Sequence, residues 1–232
     1  MGAVATGVTI GGMPLVLVTG AARADSIAAG VVPRLVADGY TVVTSDLRDA
    51  DYPCDLSHAD APAQLVDAVV ADHGAIDALV LSHAHDVLSG VLDTTAASLD
   101  LHFAVNARAS LLLIAAFARQ VVDGGVIVAF TSDHTTGNLP YGASKGALDR
   151  IVISAARELG PAGISANVVN PGPIDTGWMD DATRAALTPD HPLGRLGTPG
   201  DIAGIVAFLL SPAGRWVSGQ LIHTDGGFSA RF

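Results

Sequence analysis

Tyr141, Lys145 and Ser132 are the residues whose types and spacing could do chemistry. In a helix, positions four apart lie on one face, so the phenol of Tyr141 and the ammonium of Lys145 fall one turn apart. Pro140 fits the first turn of such a helix. The apolar run 126–130 just before it reads as a buried strand, and Ser132 at its end can face the same spot. A free tyrosine titrates near ~10. A neighbouring ammonium favours the phenolate and lowers that value. The expectation is a tyrosine that exchanges a proton with an alcohol or carbonyl near neutral pH while Ser132 hydrogen-bonds the same oxygen. The competing reading is an ordinary surface Tyr and Lys, and the flanking segments decide between them.

Those segments begin with Leu15-Val16-Leu17-Val18, a buried strand ending in the turn Thr19-Gly20. Residues 26–38 carry helical spacing, and Gly39 stops it. A second strand, 41–44, is followed by Asp46. Strand, glycine turn, helix, strand, acid is the order of a dinucleotide-binding βαβ unit. The helix start offers N–H groups and partial positive charge to a pyrophosphate. Asp46 can accept from both ribose hydroxyls and would repel a 2′-phosphate, which favours NAD over NADP. Arg48, two residues on, leaves NADP admissible. The turn has one glycine, Gly20, while Ala24 and Ser26 stand where glycines are common. Either it packs without binding phosphate, or the Ser26 hydroxyl and N–H replace the glycine contact.

The rest of the chain supplies the frame. A short third strand at 52–54 leads to Asp55-Leu56, where Asp55 is either an adenine contact or a turn cap. A helix is expected over 59–73 and a strand over 76–81, running into Ser82-His83-Ala84-His85-Asp86. Two histidines and an acid could bind a metal, line a ligand cleft or simply form the loop; the short His-x-His spacing and a distant Cys54 argue against metal. Asn106 lies inside a predicted helix, 98–120, where it could bend the helix, hold a water in a proton path, or be a satisfied core amide. After the helix 140–159 and the strand 165–169, the rigid turn Asn170-Pro171-Gly172-Pro173-Ile174-Asp175-Thr176 could wall a nicotinamide ring, with Thr176 reaching the pyrophosphate. Residues 177–200 read as a lid, 201–210 as a helix and 220–224 as a final strand.

With 232 residues, half of them hydrophobic and few aromatic, the chain suits one tightly packed α/β domain, a doubly wound parallel sheet with helices on both faces. A formal net charge of −11 argues against a nucleic-acid partner. No apolar run approaches the ~18 residues of a membrane span, so no membrane partner is expected. The single cysteine, Cys54, fits a reducing cytoplasm. Residues 1–13 are expected to be a disordered leader and 14–232 the dinucleotide-binding catalytic domain.

Tyr141-x-x-x-Lys145 with Ser132 upstream, the Asn106 helix, Asn170-Pro171-Gly172 and the Gly219–Gly227 ending together resemble the short-chain dehydrogenase/reductase family from about Pro14 to Phe232. The ending is similar to that of 3-oxoacyl carrier-protein reductases. Gly20 through Ala28 resembles the turn of the divergent enoyl carrier-protein reductases, which still bind cofactor. The resemblance implies a seven-stranded parallel sheet, a nicotinamide dinucleotide and a homotetramer; the long helices 98–120 and 140–159 could pair across a two-fold axis, so a homodimer is the other expectation. It implies that Tyr141 transfers the proton, that Lys145 holds the nicotinamide ribose and lowers the Tyr141 pKa, that Ser132 orients the substrate oxygen, and that Asn106 anchors a water. Cofactor contacts are expected from Gly20, Arg23, Ser26, Ile27, Asp46, Asp55, Leu56, Ser82, Ala84, Tyr141, Lys145, Pro171, Gly172, Ile174 and Thr176. Ser82-His83-Ala84-His85 departs from the family's Asn-Asn-Ala-Gly, and the stretch between Ser132 and Tyr141 is shorter than usual. The activity expected is carbonyl–alcohol interconversion on a small molecule. The alternatives are a redox-silent binding protein and a metal enzyme using His83, His85 and Asp86.

Overall fold

The computed structural model describes residues 13–177 and 179–230. Except for Met13, the expected leader lies outside the described residues. Seven parallel strands form one sheet in the order β3-β2-β1-β4-β5-β6-β7. They are β1 Leu15–Thr19, β2 Thr41–Asp46, β3 Tyr52–Pro53, β4 Ala78–Leu81, β5 Gly125–Phe130, β6 Ile164–Asn170 and β7 Leu221–His223. Every residue of β1, β4, β5 and β6 is buried, as a parallel sheet covered on both faces requires.

Helices α1 Ile27–Ala37 and α7 Pro199–Leu210 cover one face. There Val31, Leu35, Ile202 and Val206 pack on Val16, Val18, Val80 and Val128. The other face carries α2 Ala61–His73, α3 Ala96–His102, α4 Ala109–Gln120 and α5 Leu139–Leu159. Phe117, Leu113, Leu148 and Val152 pack there on Leu17, Leu79 and Ile127. Strand order reverses between β1 and β4, which opens a crevice at the carboxyl ends of the strands.

Three expectations are corrected. The helix predicted over 98–120 begins at Ala96 and is interrupted by a π-helical turn, Phe103–Arg108. Continuous over Ala96–Gln120, it is long and apolar enough to cross a membrane by length and composition. Half of it is nevertheless buried in the fold, as in a core helix. Second, the lid contains a short helix, α6 Asp181–Leu187, started by Asp180, whose carboxylate accepts from Thr183 N at 2.7 Å. Third, β3 is only two residues long, because Asp51 turns the chain directly from β2 by accepting from Thr44 N and Oγ1 at 2.9 and 2.7 Å.

Candidate active site

Tyr141 and Lys145 lie in the first two turns of α5, at the carboxyl end of β5. Pro140 sits in the first turn, as its spacing predicts. Lys145 is the chain's only lysine. It is 2% exposed, and its Nζ donates to Phe130 O at 2.9 Å and stands 5.7 Å from the centre of the Tyr141 ring. Burial pulls its pKa down to about 8, against the opposing pull of Asp149 and Asp86.

The Tyr141 phenol behaves otherwise than expected. Its pKa is raised, by burial first and by Asp86 second. The ammonium that was to lower it is itself buried and committed to a backbone carbonyl. Tyr141 is therefore a neutral phenol at physiological pH.

Ser132 follows β5, and its Oγ accepts from His134 N at 3.1 Å; no hydrogen bond joins it to Tyr141. The short segment after it folds over the start of α5, where a Cβ on Gly142 would meet His134 O at 2.6 Å. Glycine at 142 lets the shortened loop close there.

Asn106 lies in the π-helical turn and is fully buried. Its Oδ1 accepts from His85 N at 2.7 Å, and its Nδ2 donates to His85 O at 2.9 Å and Ser144 Oγ at 2.8 Å. Ser144 Oγ in turn donates to Tyr141 O at 2.7 Å. Both Asn106 side-chain N–H bonds are spent, so the amide clamps the loop after β4 to the helix of Tyr141. Sequence reasoning missed Ser144 and Asn138 here, and read Asp86 as a metal, cleft or loop residue without its tie to Asn138. The Ser before Lys145 and the acid closing the His-x-His stretch were the available signals.

The two histidines after β4 diverge. His83 is buried, with Nδ1 2.7 Å from Thr19 Oγ1 and Nε2 3.2 Å from Val105 O. Burial, then Lys145, hold its pKa down to about 3, so it is a neutral brace. His85 stacks edge-on against His102, their centroids 4.5 Å apart. Among the described residues no group of three His, Cys, Asp or Glu side chains is placed to hold a metal.

On the β1 side a cleft of about 730 Å³ is lined by Gly20, Arg23, Ser26, Asp46, Asp55, Leu56, Ser82 and Ala84, all expected contacts. Cys54, Ser57, Leu101 and Val105 add walls that were not expected. Gly20 takes φ +72°, and a Cβ there would stand 2.5 Å from His83 N. Gly20→Ala should therefore cost about 2 kcal/mol, read as a lowered urea midpoint. Ser26 caps α1, its Oγ accepting from Ala29 N at 3.3 Å, and the first-turn N–H groups there have no helical carbonyl to reach. Asp46 Oδ2 accepts from Ala22 N at 2.9 Å and Oδ1 from Leu47 N at 2.7 Å, which fixes the carboxylate at the cleft. Asp55 accepts from Ser57 N at 2.9 Å, which makes it a turn residue that also lines the cleft.

Ile27, Pro171, Gly172, Ile174 and Thr176, with Tyr141 and Lys145, lie outside that cleft wall. Ile27 opens α1, and the other four follow β6. Gly172 takes φ +64°, where a Cβ would meet Asp225 Cβ at 2.5 Å, and its N–H donates to Asn170 Oδ1 at 3.1 Å. Ile174 is buried and bridges to Gly197. Thr176 O accepts from Arg23 Nη2 at 2.6 Å, joining the turn after β1 to the segment after β6. A capped helix start, a close-packed glycine and a fixed acid at the end of β2 fit the pyrophosphate and ribose of a dinucleotide.

A family model described as enoyl-(acyl carrier protein) reductase matches residues 20–229. YjdA, an uncharacterized oxidoreductase of Bacillus subtilis, is 35% identical over 241 residues, covering 92% of this chain and 96% of the relative. A short-chain dehydrogenase/reductase from Serratia marcescens BCRC 10948 superposes with a TM-score of 0.87 at 30% identity, covering 94% of this chain and 98% of that one. A blue fluorescent protein from a metagenomic library, in complex with NADPH, superposes with a TM-score of 0.86 at 30% identity, covering 94% and 98%.

Proposed function

Because this chain belongs to the short-chain dehydrogenase/reductase family, we propose that Tyr141 is the proton donor when it reduces a carbonyl to a secondary alcohol. The chain is an NAD(P)-dependent oxidoreductase, and the bound dinucleotide supplies the hydride. The observation that carries the reading is the pairing of Tyr141 and Lys145 on α5 beside a cleft that fits the cofactor. A phenol kept neutral by burial still carries the proton that the nascent alkoxide needs. Lys145, below its pKa of about 8, brings the positive charge that steadies the phenolate left behind. Ser132 accounts for the second hydrogen bond to the carbonyl oxygen. Asn106 holds the loop after β4 against α5 and so fixes the Tyr141 backbone; the water-anchoring role is less suited to a side chain whose N–H bonds are both engaged.

Gly20, Ser26 and Ile27 would meet the pyrophosphate, Asp55, Leu56, Ser82 and Ala84 the adenosine, and Pro171, Gly172 and Ile174 the nicotinamide, with Arg23 and Thr176 between. Asp46 favours NAD(H), since its fixed carboxylate would repel a 2′-phosphate. Arg48 lines the same cleft with its side chain 88% exposed, 3.9 Å from Asp49, and is the route by which NADP(H) would be accepted. Fluorescence titration tests this. Native protein should bind NADH more tightly than NADPH, and Asp46→Ala should move the ratio toward NADPH by about tenfold, one charge–charge contact's worth. Failure to bind either dinucleotide would leave a redox-silent binding protein instead.

Residues 14–232 serve as one catalytic unit in this reading. The exposed Leu99, Phe103 and Leu111, along α3, the π-helical turn and α4, support self-association as a homodimer or homotetramer. The free thiol of Cys54 is in keeping with a cytoplasmic setting.

A further inference from the structure

We propose that Asp86 determines specificity at this site, selecting carbonyl substrates that carry a hydrogen-bond donor, hydroxyl or ammonium, and turning away those that carry a carboxylate. The proposal rests on the reading that a carbonyl is reduced at Tyr141. Asp86 lies on the exposed loop after β4. Asn138 Nδ2 donates to its Oδ1 at 2.8 Å. Asn138 is 1% exposed and immediately precedes α5, and its own carbonyl accepts from Gly142 N at 3.1 Å. A second tie, Leu139 N to Ser89 O at 2.9 Å, fastens the same loop to the same helix turn. The loop therefore holds the Asp86 charge beside the turn that carries Tyr141, and both Tyr141 and Lys145 feel it.

Asp86 Oδ2 has no hydrogen-bond partner among the described residues, and Asp86 is exposed. Three arginines of the cleft and the lid are committed elsewhere. Arg23 is held by Asp25, Arg184 by Asp175 and Asp181, and Arg195 by Asp201. Lys145 is buried on Phe130 O. An ionised acceptor with a spare oxygen makes a charge-assisted hydrogen bond to a hydroxyl or ammonium and repels a second carboxylate.

The test uses ketones of similar size: hydroxyacetone, 2-butanone and pyruvate. Turnover with NADH is ranked for native protein and Asp86→Asn, which removes the charge yet keeps an oxygen for Asn138. NADH fluorescence in the ternary complex ranks binding whether or not turnover occurs. Native protein should prefer hydroxyacetone and disfavour pyruvate, and Asp86→Asn should raise pyruvate relative to 2-butanone by about tenfold. A native preference for pyruvate, or a ranking unmoved by the substitution, overturns the role of Asp86. Absence of turnover with every ketone, alongside a ranking that shifts as expected, counts against reduction at Tyr141 and leaves the Asp86 selectivity standing.

Discussion

Tyr141→Phe should lower carbonyl reduction by about 10³-fold, some 4 kcal/mol of barrier, because a positioned general acid contributes on that order. The substitution removes one oxygen and keeps the ring that packs beside Lys145. Dinucleotide binding should therefore survive, and the loss should fall on kcat with little change in KM. Steady-state kinetics with a fluorescence titration of NADH separate the two. Turnover retained by the variant would assign the proton to another group.

Lys145→Met should lower reduction by about 10²-fold or more and, unlike Tyr141→Phe, weaken dinucleotide binding too. The pH dependence follows from burial. The charged form is disfavoured, so the ammonium prevails below about pH 8 and is lost above it. The kcat/KM for reduction should be level below that pH and fall above it, and the break should vanish in Lys145→Met. The unfolded chain holds that proton more tightly, with a lysine pKa near ~10.4, so stability rises with pH between the two values. Because Lys145 is the only lysine, biosynthetic ¹³Cε-lysine labelling yields a single side-chain resonance. Its titration midpoint should lie near 8; a midpoint at the ordinary lysine value would contradict the buried placement.

Local pattern made much of this legible. Apolar runs marked the strands, Gly39 ended α1, and the four-residue spacing of Tyr141 and Lys145 placed both on α5. The one glycine kept in the first turn, Gly20, is the one whose Cβ would strike His83. What escaped depends on partners far apart in the chain. The π-helical turn at Asn106 coincides with the bonds of its amide to the His85 backbone, and no local signature announces that pairing. The direction of the Tyr141 shift is set by depth and by Asp86, neither of which a neighbouring Lys145 reveals. The helix in the lid was nearer to hand, since Asp180 stands three residues before Thr183 as a capping residue would.

Transfer of deuterium in a single turnover tests the central claim most directly. NADH deuterated at the transferred position of C4 is mixed with excess protein and each ketone of the series, and the product alcohol is weighed by mass spectrometry. Native protein should place deuterium on the carbinol carbon, and Tyr141→Phe, with the dinucleotide still bound, should place almost none there in the same interval. Equal deuterium from both proteins, or none from native protein saturated with NADH, would contradict a phenol-driven hydride transfer.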